Sequence, residues 1–343
     1  MLTTLGGRVS VYSLSRYLIP YLLVYFLLFV VWFLLPAYSQ LVIYIAFYIA
    51  LGQAFNIFLG FTNYVCFGYV AFMAMGMYGM ALTVKWLNAS AAGTSLSFLG
   101  LVFGGYGLSI IMSVVLAVAV GVIALRLREA YFAIATIGLS QGFRFLIEGS
   151  GIWGGSGGLI ISRDIITLFG YSGLTLVSTV VADVLVLTTG MISLTVTYLI
   201  THSRLGYALQ AVKEDEDVAK VFGVNATKYK LIAFTVSAAL AGMLGAAKLL
   251  KDQAVFPPEA FSISYTVEAI IIVLLGGRGT LIGPIIGGIV YGSLKYYLTA
   301  LLPGLQLLIL APVLIAIVLA FPAGIVGWLK KRFKGALIDR IFI

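Results

Sequence analysis

The sequence predicts an all-α polytopic membrane protein of about ten transmembrane helices with both termini cytoplasmic. Three observations carry that prediction. Of the 343 residues, 62% are apolar and only 10% are charged, against about 25% charged in a soluble domain. Mean hydropathy is +1.12, and no soluble fold of this length covers such a core with so few charges. The apolar stretches run continuously for about 20 residues, enough to cross a bilayer as a helix, and lack the strict alternation of a barrel strand.

In chain order the spans fall at 17–35, 41–61, 64–86, 99–125, 130–148, 176–201, 231–251, 262–281, 283–301 and 305–322. The first follows Arg8 and Arg16 and is longer than the apolar part of a secretory signal, so no cleavable leader is expected. The fifth carries Arg144 and Glu148 in its second half, and only Gly276-Gly277-Arg278-Gly279 separates the eighth from the ninth.

Charge placement tests the count. With the N-terminus inside, the cytoplasmic segments hold 15 of the 21 basic residues, including Arg126, Arg128, Arg204, Lys213, Lys220, Lys228, Lys230 and Arg278. Lys85, Arg163, Lys248 and Lys251 fall outside, and Arg144 and Lys295 fall within spans. This is the asymmetry of the positive-inside rule, and omitting one span after the fourth would put the most basic loop outside. The chain therefore reads as one transmembrane domain over 1–343, with a cytoplasmic loop at 202–230 and a basic cytoplasmic tail at 323–343.

The net charge of +9 follows from the same rule, so nucleic-acid binding is not indicated. Cys66 is the only cysteine and His202 the only histidine, which leaves little for a zinc site or a Cys–His nucleophile. The outer segment 149–175 contains Gly154-Gly155-Ser156-Gly157-Gly158, but Leu159 and Ile160 follow where a P-loop needs Lys and then Ser or Thr. Neither a hydrolase constellation nor a potassium-filter string is present, so the chain is not expected to be an enzyme or to bind a cofactor itself.

Two regions are candidates for function. In 202–230, Leu205, Leu209 and Val212 recur at helical spacing, as do Val218, Val221 and Phe222. The acids Glu214, Asp215, Glu216 and Asp217 open the second of two short helices, where the dipole favours negative charge. The pair lies across the cytoplasmic face, either as a solvated connection or as a docking element; apolar residues in such a loop favour docking. Within the spans, Asn56, Thr62, Asn63 and Tyr64 cluster near Gly60, and Glu268 is an acid inside the eighth span. An intramembrane acid either lines a path or pairs with a base such as Lys295 or Arg144. Gly276, Gly277, Gly279, Gly283 and Pro284 fit a helix break, the device that exposes backbone at membrane depth, although glycines also serve close helix packing.

Four strings in order carry a family resemblance over about residues 40–330. They are Asn56-Ile57-Phe58-Leu59-Gly60-Phe61-Thr62 continuing to Tyr78, Leu125-Arg126-Leu127-Arg128 with Tyr131-Phe132-Ala133-Ile134, the 203–242 region with Ala211-Val212-Lys213-Glu214-Asp215-Glu216 and Tyr229-Lys230-Leu231, and Gly276-Gly277-Arg278-Gly279 to Pro284. Together they resemble the LivM-like permeases of branched-chain amino acid ABC importers. The resemblance implies an ABC importer permease fold in the cell membrane, working beside a second homologous permease, two cytoplasmic ATPase subunits that carry ATP and Mg, and an extracellular substrate-binding protein. It implies that Arg204, Leu205, Gly206, Leu209, Val212, Lys213, Glu214, Asp215, Glu216, Val221 and Phe222 form the ATPase-coupling loop. The family's Gly-His is Gly68-Tyr69 here and its serine is Cys66, which adds Tyr69 to the candidate path residues. That departure keeps urea, short amides or other amino acids open as cargo. A stand-alone secondary transporter is the alternative class.

Overall fold

The computed structural model describes residues 11–90, 94–302, 304, 305, 308, 312 and 323–332. The tenth span, 305–322, and residues 333–343 of the basic tail lie essentially outside the described residues, as does Arg8. The described chain is an all-helical polytopic bundle. Seven of its helices are long and apolar enough to cross a membrane, and Tyr21–Leu34 is a shorter apolar helix.

The helices are α1 (Val11–Leu34), α2 (Ser39–Thr62), α3 (Val70–Ala89), α4 (Thr94–Leu99), α5 (Gly105–Ala124), α6 (Glu129–Ser150), α7 (Ser162–Leu176) and α8 (Ala182–Thr201). They continue as α9 (Arg204–Glu214), α10 (Glu216–Val221), α11 (Ala226–Asp252), α12 (Pro257–Ala260), α13 (Ser264–Gly276), α14 (Gly283–Leu301) and α15 (Gly324–Arg332). A five-residue π turn, Gly100–Gly104, joins α4 to α5, and a second, Val177–Val181, joins α7 to α8. Strands β1 (Leu159–Ile160) and β2 (Ala254–Val255) pair antiparallel and tie the glycine-rich 151–158 segment to the end of α11.

α2 and α11 form the centre. α2 packs against α14, α8, α11 and α13, while α11 packs against α3 and α5. Lipid-facing helices gain no hydrophobic drive to associate, so small residues and interhelical hydrogen bonds do the work. Gly76 of α3 lies so close to α11 that a Cβ there would stand 2.1 Å from the Gly242 carbonyl oxygen. Ser109 and Ser113 of α5 donate to the α3 carbonyls of Gly76 and Phe72 at 2.7 and 2.8 Å. Phe55, Phe58, Tyr69, Phe72, Phe132 and Phe234 fill the space between α2, α3, α6 and α11, with ring centroids 4.7 to 6.0 Å apart.

Three expected boundaries shift. The span expected at 64–86 starts as a helix only at Val70, because Asn63 (φ 61°) takes the left-handed conformation that ends a helix and 63–69 stays non-helical. The eighth span stops at Gly276 instead of 281, since Gly277 (φ 128°) and Gly279 (φ 75°) leave helical space. The segment expected as outer loop to residue 175 is helical from Ser162, held to the end of α3 by Lys85 and Asn88, which both donate to Asp164 at 3.4 and 2.8 Å.

Candidate functional site

At one end of the bundle, three otherwise separate pieces of chain meet: the 63–69 link, the α9–α10 pair and the 277–282 turn. Each is built locally by side-chain caps. Ser203 caps α9 by accepting from the Gly206 amide, and Asn225 caps α11 by accepting from that of Lys228. Asp215 caps α10 by accepting from the amides of Asp217 and Val218, both at 2.9 Å. Thus the acidic run does not simply line the start of α10: Glu214 ends α9, Asp215 is the cap, and Glu216 and Asp217 occupy the first turn.

Glu216 turns inward. Its Oε2 accepts from Lys230 Nζ at 2.9 Å and from the Tyr64 hydroxyl at 2.8 Å, and Lys220 reaches its Oε1 at 3.1 Å. Lys230 is 1% exposed, and its ammonium also sits 4.2 Å from the centre of the Tyr64 ring. Burial pushes the Glu216 carboxyl up, but the hydrogen bonds from Lys230, Tyr64 and Lys220 outweigh it and hold the group down at about 2. α10 is thereby joined to α11 and to the link that leaves α2. Arg128 adds an exposed contact to Asp217 at 3.2 Å.

The 277–282 turn is pinned to α2 in the same region. Asn56 Nδ2 donates to the Thr280 carbonyl at 3.0 Å, and its Oδ1 accepts from the Gly279 amide at 2.9 Å. Gln53 donates to the Leu281 carbonyl at 2.7 Å. Thr280 Oγ1 donates to the Gly277 carbonyl and accepts from the Gly283 amide, which closes the turn before Pro284 starts α14 in its first helical turn. Lys213 at the end of α9 packs over this turn, since a Cβ on Gly279 would lie 2.9 Å from its Nζ. Its pKa is lowered by burial and by the Arg278 charge.

The expected path residues therefore act mainly as internal ties. Thr62 donates to the Phe58 carbonyl and accepts from the Tyr64 amide, and Asn63 is the left-handed cap of α2. Tyr69 is buried, donating to the Ser237 carbonyl at 3.1 Å. Tyr64 alone of this group borders a cavity at this end, about 410 Å³, which Arg128 and Asp215 to Asp217 also line. Glu268 pairs with Lys295 at 2.6 Å, while Arg144 pairs with Glu148 on its own helix. Of the two partners expected for Glu268, Lys295 is the one that reaches it.

The α9–α10 pair divides by burial. Gly206, Leu209 and Val212 are buried against the bundle, so they present nothing outward. Arg204, Glu214, Asp215, Val221 and Phe222 are exposed, with Val221 at 85% and Phe222 at 82%; Leu205, Lys213 and Glu216 are half-buried. Tyr207 and Val218 join the exposed apolar set at 66% and 50%. Sequence reasoning passed over Gln53, Lys230, Lys251 and Asp183. Asp183 carried a readable signal, an acid inside the span expected at 176–201, and it accepts from both Lys251 and Trp32.

Asn56→Ala removes two hydrogen bonds to a buried turn at once and leaves the Thr280 carbonyl and Gly279 amide unmatched. A stability loss of about 2–3 kcal/mol is expected, read as the shift in a denaturant unfolding curve of the detergent-solubilised protein. A loss below about 0.5 kcal/mol contradicts the tie.

Comparison with known proteins follows the same outline. The chain is 30% identical over 259 residues to the high-affinity branched-chain amino acid transport system permease protein LivM of Salmonella typhimurium, covering 68% of this chain and 57% of that protein. It is 30% identical over 268 residues to LivM of Escherichia coli, covering 71% and 59%. The ribose import permease protein RbsC of Escherichia coli is 31% identical over 115 residues, 31% of this chain and 34% of that protein. The chain thus spans less than three fifths of the length of the LivM relatives that it matches. No solved structure matches. A match over residues 35–319 places the chain in the family described as branched-chain amino acid transport system / permease component, and the chain belongs to that family.

Proposed function

We propose that the chain is the transmembrane permease subunit of an ATP-binding-cassette importer that moves leucine, isoleucine and valine across the cell membrane by alternating access. It crosses the membrane about ten times with both termini in the cytoplasm. A second homologous permease, two cytoplasmic ATPase subunits that bind ATP and Mg, and an extracellular binding protein complete the assembly. The single observation that carries the coupling role is the division of α9–α10: Val221 and Phe222 present an exposed apolar edge, while Glu216 on the same short helix grips Tyr64 and Lys230 inside the bundle. A partner that moves the outer edge pulls on the link after α2, and on the 277–282 turn through Lys213. Each state of the bundle then binds the ATPases with a different affinity, which is what lets ATP shift the population between them.

Reconstitution with the partners in vesicles is expected to give ATP-dependent leucine uptake; uptake indifferent to ATP overturns the reading, and ATP-driven uptake of urea or an amide in place of leucine moves the substrate. Glu214→Lys with Asp215→Lys is expected to uncouple hydrolysis from transport, but the second change also removes the α10 cap. Val221→Asp with Phe222→Asp avoids that, because both side chains face solvent. Loss of about nine tenths of uptake at unchanged permease level is expected, matching a docking loss of about 1.4 kcal/mol or more, and full uptake by this variant contradicts docking at that edge.

A further inference from the structure

At the end of the bundle opposite α9–α10, the structure holds a cavity of about 150 Å³ bordered by Lys248, Lys251, Asp252 and Lys295. The start of α2, the end of α11 and the far part of α14 converge there, with Tyr265 of α13. We propose that this cavity is a binding site for a zwitterionic aliphatic amino acid on its way into the bundle, a reading that rests on the importer function above.

Charge balance selects the ligand class. Lys248 pairs with Asp252 at 2.6 Å, Lys295 with Glu268 at 2.6 Å, and Lys251 with Asp183. Three ammonium groups thus stand among three carboxylates. A simple anion meets the acids and a simple cation meets the lysines, each at a cost, whereas a ligand carrying both charges satisfies both sets. An ammonium has three donors, so each lysine retains donors beyond the one given to its acid. Asp252 is 40% exposed at its side chain and is placed to accept from a ligand ammonium.

Two further features fit. Ile43, Phe47 and Val186 supply an apolar wall beside the charges, the mixture that small-molecule sites use for orientation and affinity. A cavity of about 150 Å³ holds a benzene-sized group, which suits a branched aliphatic side chain with the charged end toward the lysines. Packing alone does not account for all three pairs. Lys251–Asp183 and Lys295–Glu268 each tie two helices together, but Lys248–Asp252 lies within α11, four residues apart, and ties nothing across the bundle.

The test uses the full-length protein with the subunits that co-purify, in nanodiscs of phosphatidylglycerol. Binding is measured by calorimetry for L-leucine, for 4-methylpentanoate, which lacks the ammonium, and for 3-methylbutylamine, which lacks the carboxylate. Leucine is expected to bind, and each half-ligand to bind about tenfold more weakly or worse. Lys248→Met with Asp252→Asn keeps the cavity neutral and is expected to weaken leucine about tenfold while leaving the unliganded unfolding midpoint nearly in place. No leucine binding at about 10 mM, equal binding of all three compounds, or an unaffected double variant overturns the site. Stabilisation by phosphatidylethanolamine in the disc but not by free leucine assigns the cavity to a lipid headgroup, which also overturns it. ATP-driven leucine uptake that survives the double variant unchanged removes the site and leaves the importer reading intact. Leucine binding without ATP-driven uptake in the complete assembly does the reverse.

Discussion

Lys230→Met is expected to destabilise the protein by about 3 kcal/mol and to abolish coupling between α10 and the link after α2. Lys230 is 1% exposed and Glu216 is its acid. Removing the ammonium leaves a largely buried carboxylate with Lys220 and Tyr64 as its remaining printed partners, and the cost of breaking a buried pair comes from the charge left behind. Adding Glu216→Gln removes that charge, so the double variant is expected to recover part of the loss. Detergent-titration unfolding of the four proteins forms a double-mutant cycle, and additive effects within about 0.5 kcal/mol contradict a direct pair.

The same clasp predicts a pH window. Glu216 lies at about 2 in the folded chain, below its ordinary 4.5. A depressed carboxyl contributes stability that is fully present above the unfolded value and is lost as pH falls through the folded one. The stability gap between the native protein and Glu216→Gln is therefore expected to hold from pH 7 to about 5 and to shrink between 4.5 and 2. A gap that stays constant down to pH 3 contradicts this origin.

The second large effect lies at the 277–282 turn. Gly276→Ala would place a Cβ 1.7 Å from the Gly283 carbonyl oxygen, which is backbone and has no rotamer to change. Gly277→Leu would force a side chain onto a backbone at φ 128°. Each is expected to cost about 3 kcal/mol or more and to eliminate uptake, because the α13–α14 junction must open to accept the atom. Gly142→Ala is the control: nothing lies within 4 Å of its Cβ, and it sits within α6. There the expected change is slightly stabilising, up to about 1 kcal/mol. Normal expression and uptake by Gly276→Ala would show that the junction is looser than its contacts imply.

These effects separate what the sequence could show from what it could not. The helix break at Gly276–Pro284 was legible because glycine and proline act locally on the chain. The two short helices of 202–230 were legible for a related reason, since caps and periodicity are read over a few residues. The late start of α3 was not. The 63–69 link is kept out of helix by Asn63 in the left-handed region and by Thr266, distant in sequence, which accepts from the Val70 amide.

Composition and charge bias determined by themselves that this is a polytopic helical membrane chain, because a bilayer admits few structures with so much apolar surface. The order of the four strings pointed to the permease family. Only the tertiary structure decided which residues of the coupling segment face outward. Leu209 and Val212 look interchangeable with Val221 and Phe222 in the sequence, yet the first two are buried on the bundle and the last two are exposed. Likewise it decided that Asn56 holds a backbone turn 223 and 224 residues away, and that Glu268 takes Lys295 instead of Arg144. The physical reason is the same in each case. Local pattern states that a group must be buried or satisfied, but its partner comes from wherever the packed helices bring the chain together.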